Sequence, residues 1–221
     1  MNWKTRLIYA IIAFFALPGL TGDLCMSAEQ NASKADSPAL TPGDSWKIGY
    51  SDGTRAKRKF LREENGNLVF EVAQIAINGD ISQGFLYLNR DLATVKTLDS
   101  DGKELQRFEP CSLGLQFPLF AGKKWQGRSR RFDEGKDAGT FAGTYRVVKV
   151  ESVAVAAGTF RSFRVEGETY DLKAPDTRWR FVRWYAPQAR AEVKVQAMTP
   201  GANPVEFEVT EFSPAQSPPP K

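Results

Sequence analysis

From Gly43 to Phe212, hydrophobic and polar residues alternate in short runs separated by turn residues. The longest such stretch is Tyr145 to Tyr170. Val147, Lys149, Glu151, Val153 and Val155 form one alternate set, with Val148, Val150, Ser152 and Ala154 between them. The run breaks at Ala156 to Thr159 and resumes with Phe163, Val165 and Gly167 set against Arg164, Glu166 and Glu168. A period of two rich in β-branched and aromatic residues is strand chemistry, so this stretch predicts the central antiparallel pair of a sheet.

The same reading places further strands at Trp46–Tyr50, Lys57–Glu63, Leu68–Ala76, Phe85–Leu88, Thr94–Leu98 and Lys103–Phe108. Others follow at Thr177–Tyr185, Glu192–Met198 and Val205–Phe212. Asn65-Gly66 is the pair that a two-residue hairpin with positive φ at both positions prefers. Helical spacing is scarce, with single-turn candidates at Arg90–Ala93 and Thr159–Ser162. The predicted fold is all-β: one antiparallel meander of about 10–12 strands forming a curved sheet or a partly open barrel.

The flanks differ in character. Residues 1–28 carry Lys4 and Arg6 and then the apolar run Leu7–Leu17, the order of charge, apolar core and small residues found in a secretory signal peptide. The run is shorter than the about 20 residues a bilayer-spanning helix needs. Cys25 invites a lipid-anchor reading, but Leu24 before it is larger than the small residue a lipobox wants. Residues 29–42 read as a disordered linker and 213–221 as a disordered proline-rich tail, leaving 43–212 as the β-rich domain. The expected location is therefore periplasmic or secreted, with anchoring through Cys25 the less favoured variant.

Composition removes several chemistries. None of the 221 residues is histidine, which excludes Ser-His-Asp and Cys-His nucleophile systems and histidine-ligated zinc. The two cysteines, Cys25 and Cys111, are far apart, so no thiolate metal site is supported. No metal, cofactor or catalytic residue is expected. Thirty basic residues are interspersed with 26 acidic ones for a net charge of +4, which does not make the concentrated basic patch of a nucleic-acid binder.

Pro110–Ala121 is apolar yet broken by Gly114 and Pro118, and suits either a loop closing a barrel end or a cavity wall. Cys111 within it reads as a small buried hydrophobe. Thr177–Tyr185 mixes arginines with aromatics on both faces, fit for cation-π packing or for anionic ligands. Arg128 to Arg131, followed by Asp133 and Glu134, reads as a solvated hairpin tip.

Three pieces carry a resemblance. They are Gly43-Asp44-Ser45-Trp46; Phe117-Pro118-Leu119 leading to Gly122-Lys123-Lys124-Trp125; and Val155 to Phe160 with Trp184-Tyr185-Ala186-Pro187 beyond. Together they resemble an exported bacterial family of β-rich domains of unknown function, with Ala156 where that pattern has proline. In outline such domains are similar to periplasmic lipoprotein-carrier half-barrels. The resemblance implies a fold and an exported location, and it brings no catalytic residue.

The leading functional expectation is a non-enzymatic module that binds a lipid or other apolar or amphipathic small molecule, with Trp46, Phe117, Trp125, Trp179 and Trp184 as candidate lining. The alternative is a structural or assembly protein of the cell envelope, partnered by other envelope proteins. A third reading is a carboxylate-only glycosidase using Glu166 and Glu168, which a strand would hold about 7 Å apart. Oligomeric state is not indicated by the sequence.

Overall fold

The computed structural model describes residues 34–201 and 203–215. The signal-peptide assignment, Cys25, the first part of the linker and the tail from 216 onward lie outside them. Twelve strands run in chain order: β1 (Ser45–Tyr50), β2 (Arg55–Glu64), β3 (Asn67–Ile75), β4 (Ile81–Leu88), β5 (Thr94–Asp99), β6 (Glu104–Glu109), β7 (Lys124–Asp133), β8 (Lys136–Val155), β9 (Gly158–Asp171), β10 (Ala174–Ala186), β11 (Ala191–Met198) and β12 (Val205–Ser213). Each pairs antiparallel with the next, and β12 returns to β1 to close the sheet into a barrel. The expected meander is therefore present, and its edges meet. Trp46 lies opposite Phe212 and Tyr50 opposite Phe207 along the closing seam.

Local chemistry explains the hairpins. Asn65 and Gly66 have φ of 50° and 78°, the backbone that lets two residues join β2 to β3 without splaying them. Glu134 and Gly135, with φ of 48° and 79°, do the same between β7 and β8, so the charged stretch around them is a hairpin tip. Two predicted helical turns are replaced. Thr159 to Ser162 lie in β9, where Thr159 pairs with Ala154 and Arg161 with Ser152, so ladder hydrogen bonds decide against a turn. At Arg90–Ala93 the Asn89 side chain accepts the backbone N–H groups of Asp91 and Ala93, and Leu92 takes φ 58°, which stops a helix before it starts.

One end of the barrel is plugged. Leu115 and Leu119 from the β6–β7 connection pack with Tyr145, Val147, Phe163, Val165 and Tyr185, and Leu119 is fully buried. The plug fits because the wall beneath it lacks side chains: a Cβ on Gly127 would meet Leu113 at 2.9 Å, and one on Gly143 at 3.2 Å. The plug in turn is covered by residues expected to be linker. Ala35 exchanges backbone hydrogen bonds with Leu119 at 2.9 and 2.7 Å and is itself buried. Polar composition predicted disorder for 29–42. The part from residue 34 is instead ordered by this pairing.

A second cluster joins the wall to an outer layer. The β8–β9 hairpin, the longest in the barrel, folds back so that Val153, Val155, Ala157 and Phe160 pack against the group containing Trp46, Trp184 and Val193. The Ala157 N–H donates to the Val209 carbonyl at 3.2 Å. Each of these partly buried side chains contributes less than the about 1.5–3 kcal/mol of a fully buried one, and together they hold the hairpin more than that single bond does.

Asp44, just before β1, ties this end together. It is completely buried and accepts hydrogen bonds from the Thr41 N–H, the Ala215 N–H and the Arg190 guanidinium. Nearby, the Trp46 indole N–H donates to the Ala189 carbonyl at 2.8 Å. The glycine-aspartate-tryptophan and tryptophan-tyrosine-alanine-proline segments noticed in the sequence thus meet at the plugged end.

Candidate functional site

The interior between plug and opposite rim is not filled. A cavity of about 480 Å³ runs from Trp46, Leu92 and Gly114 at the plugged end to Gln74, Ser82 and Glu134 at the other. Strand alternation positions its wall. Ile48, Phe70, Val72, Leu86, Phe207 and Val209 supply apolar surface. They are brought face to face by the pairs Ile48–Val209, Phe70–Leu86 and Tyr50–Phe207. At the rim the β3–β4 turn leaves Ile75, Ile77 and Ile81 exposed, Ile77 by 78%.

Four arginines also line the cavity: Arg58, Arg131, Arg183 and Arg190. Three have carboxylate partners. Arg131 binds Asp133 at 2.7 Å, Arg183 binds Glu192 at 2.9 Å and Arg190 binds Asp44 at 2.5 Å. Burial acts to raise the Asp133 carboxyl, and hydrogen bonds from Arg131 and Gln106 overcome it and hold it below its ordinary value. Glu134 is matched outside by Lys103 at 3.2 Å. Arg58 lies between Trp46 of β1 and Val72 of β3 in the ladder, and its buried Nε has no hydrogen-bond partner among the described residues.

Other buried donors share this condition. Ser129 Oγ, the Tyr145 hydroxyl and Arg183 Nε are buried without a hydrogen-bond partner among the described residues, and of the three Arg183 lines the cavity. Burial pushes the Tyr145 phenol up to about 12, with Arg183 opposing and Glu192 reinforcing the shift. The phenol therefore stays protonated and available as a donor.

The five aromatics expected to line a site do not converge. Trp46 alone lines the cavity; it is 4% exposed and stacks on Phe212 at 5.5 Å. Phe117 sits in the plug, edge-on to Tyr185 at 4.9 Å. Trp125 stacks on Tyr145 and donates its N–H to the Gly114 carbonyl at 3.0 Å, which fastens the plug. Trp179 meets Phe141 edge-on at 6.0 Å, away from the cavity. Trp184 packs under the β8–β9 hairpin and donates to Glu151 at 2.9 Å. Sequence reasoning missed Arg58, although Ala56, Arg58 and Phe60 alternate with Arg55, Lys57 and Lys59 in a way that sets it on the apolar face.

The outer wall carries a second depression, of about 840 Å³, over β7 to β10. Its carboxylates are engaged: Glu166 binds Arg146 at 2.7 Å and Arg164 at 2.9 Å, and Glu168 binds Arg178 at 2.6 Å and Arg180 at 3.2 Å. These hydrogen bonds hold both groups below the usual carboxylate range. A general acid needs the opposite shift, so the pair does not fit the glycosidase arrangement. Cys111 is half-buried, and burial raises its thiol pKa, as for an inert structural cysteine. Among the described residues no group of three potential ligands is placed to hold a metal ion.

Comparison with known proteins identifies a fold. No protein-family model and no curated protein matches the chain. Among solved structures it is similar to a Bacteroides fragilis protein described as exported and as having a YmcC-like fold, with a TM-score of 0.51 and 14% identity over 81% of this chain and 99% of that one. A Parabacteroides distasonis protein described as a lipoprotein gives 0.49 and 12% identity, over 81% of this chain and 99% of that one. The hypothetical lipoprotein YmcC of Escherichia coli gives 0.47 and 13%, over 79% and 87%.

Proposed function

We propose that this barrel, which shares its fold with the Bacteroides fragilis protein, is an exported envelope protein whose lumen binds an apolar or amphipathic small molecule. The observation that supports this reading is the cavity of about 480 Å³, which lies within the range of about 300–1,000 Å³ for small-molecule sites. Barrel diameter grows with strand number, and twelve strands enclose more space than the roughly eight whose side chains just fill the interior. The plug cluster fills one end, and the cavity lies beyond it. The exported location is supported by the signal-like leader in the sequence and by the description of the Bacteroides fragilis protein.

The test is native mass spectrometry with solvent extraction on the full chain, purified without detergent from its natural compartment. A stoichiometric extractable molecule that disappears in a folded Val72→Trp variant is the expected result, because Val72 faces the cavity. A bare mass, together with no saturable uptake of the neutral fluorophore N-phenylnaphthylamine, would overturn the reading and turn attention to protein partners in an assembly role.

A further inference from the structure

We infer that the lumen selects amphiphiles with a single acidic head group, and that the guanidinium of Arg58 receives that head. The inference rests on the lumen-binding reading above and specifies its ligand class. It follows from charge bookkeeping inside the cavity. Asp133, Glu134, Glu192 and the adjoining Asp44 each have a cationic partner, namely Arg131, Lys103, Arg183 and Arg190. Once these pairs are matched, Arg58 is, among the described residues, the cation left over on the cavity wall.

Its surroundings sharpen the point. Ala56 and Phe60 flank Arg58 on its own strand, and Trp46 and Val72 lie across from it, so among the described residues no acidic side chain stands directly beside it in the ladder. A guanidinium placed among apolar groups without a counterion is destabilising, and a ligand carboxylate or phosphate oxygen would relieve that cost through charge-assisted, two-pronged hydrogen bonds. Arg183 Nε, which also lines the cavity and has no hydrogen-bond partner among the described residues, can donate as well, and it favours an acceptor-rich guest over a cationic one. The apolar wall from Phe70 to Phe207 then takes the hydrocarbon portion.

The experiment is displacement of N-phenylnaphthylamine from the full chain by decanoate, decyl phosphate, decanol and decylamine at neutral pH. The two anions are expected to compete at least about tenfold better than decanol, and decylamine worst. Which anion is stronger distinguishes a carboxylate head from a phosphate head. Arg58→Met should erase the preference for the anions while leaving decanol competition and the far-ultraviolet dichroism unchanged, and Arg58→Lys should restore part of it. Equal competition by decanol and decanoate, or an anion preference that survives Arg58→Met, overturns this inference while leaving lumen binding intact. Absence of any displaceable fluorophore fails the underlying reading itself.

Discussion

The Arg190 guanidinium lies 2.5 Å from a carboxylate oxygen of Asp44, a residue 146 positions earlier in the chain and wholly buried. That contact fixes the β10–β11 loop against the start of β1. The same carboxylate also accepts the N–H groups of Thr41 and Ala215, so one side chain holds the approach to the first strand and the exit from the last. Replacing Asp44 with alanine leaves two part-buried backbone donors and a guanidinium without their acceptor. The expected loss is about 1–3 kcal/mol, because the Arg190 side chain left behind keeps a third of its surface in water. Urea unfolding of the folded fraction measures it, and a loss below about 1 kcal/mol would show that the node is dispensable.

Gly167 faces the Tyr145 ring across the β8–β9 ladder, and a Cβ there would sit 2.1 Å from a ring carbon. Gly167→Ala must therefore push the ring toward Trp125, on which it stacks with an interplanar angle of 12°. A destabilisation of about 1–3 kcal/mol is expected, as for overpacking a tight core. Thermal unfolding reads it directly; an unchanged midpoint would mean that the ring has room to move.

The Tyr145 hydroxyl is buried without a partner among the described residues. Tyr145→Phe removes that group and keeps the ring. Stability should rise by about 1 kcal/mol, since an unmet buried donor costs about 1–3 kcal/mol. A drop of similar size in the ligand-free protein would show that the hydroxyl makes a stabilising interaction of its own.

Acid sensitivity should arise in part on the outer wall. Glu166 and Glu168 are held below the usual range in the folded chain by hydrogen bonds from Arg146 and Arg178, with Arg164 and Arg180 adding to the effect. The folded state then binds fewer protons than the unfolded one. The stabilisation is complete above the unfolded value near about 4.3 and is lost as pH falls through the depressed folded values. Unfolding midpoints from pH 7 down to about 3 should fall less steeply in the Glu166→Gln, Glu168→Gln double variant than in the parent chain. Parallel curves would remove these two carboxylates as a source of the acid response.

What the sequence revealed depended on how local the cause was. Asn65-Gly66 and the alternation around Val147 and Val165 act over a few residues, and the corresponding turns and strands are where they were expected. Closure depends on Trp46 meeting Phe212, a pairing with no local signal. Tryptophans look alike in sequence. A plugged barrel with an outer hairpin layer has three apolar environments, and Trp46, Trp125 and Trp184 are distributed among them. Arg58 was hidden by its neighbours Lys57 and Lys59, which make a solvated basic run of what the pleat divides into two faces.

The seam between β1 and β12 also shapes the route by which the chain can fold. Eleven of the twelve strand pairings join consecutive strands, whereas the last joins Ser45 to Ser213 and must wait for nearly the whole chain. Until it forms, the growing sheet has two unpaired edges, each a row of free amide and carbonyl groups able to recruit the same edge of another molecule. Closing the seam removes both at once. Protection of both edges is therefore acquired at a single late step, and any lesion that weakens β1 or β12 should appear first as intermolecular aggregation during refolding.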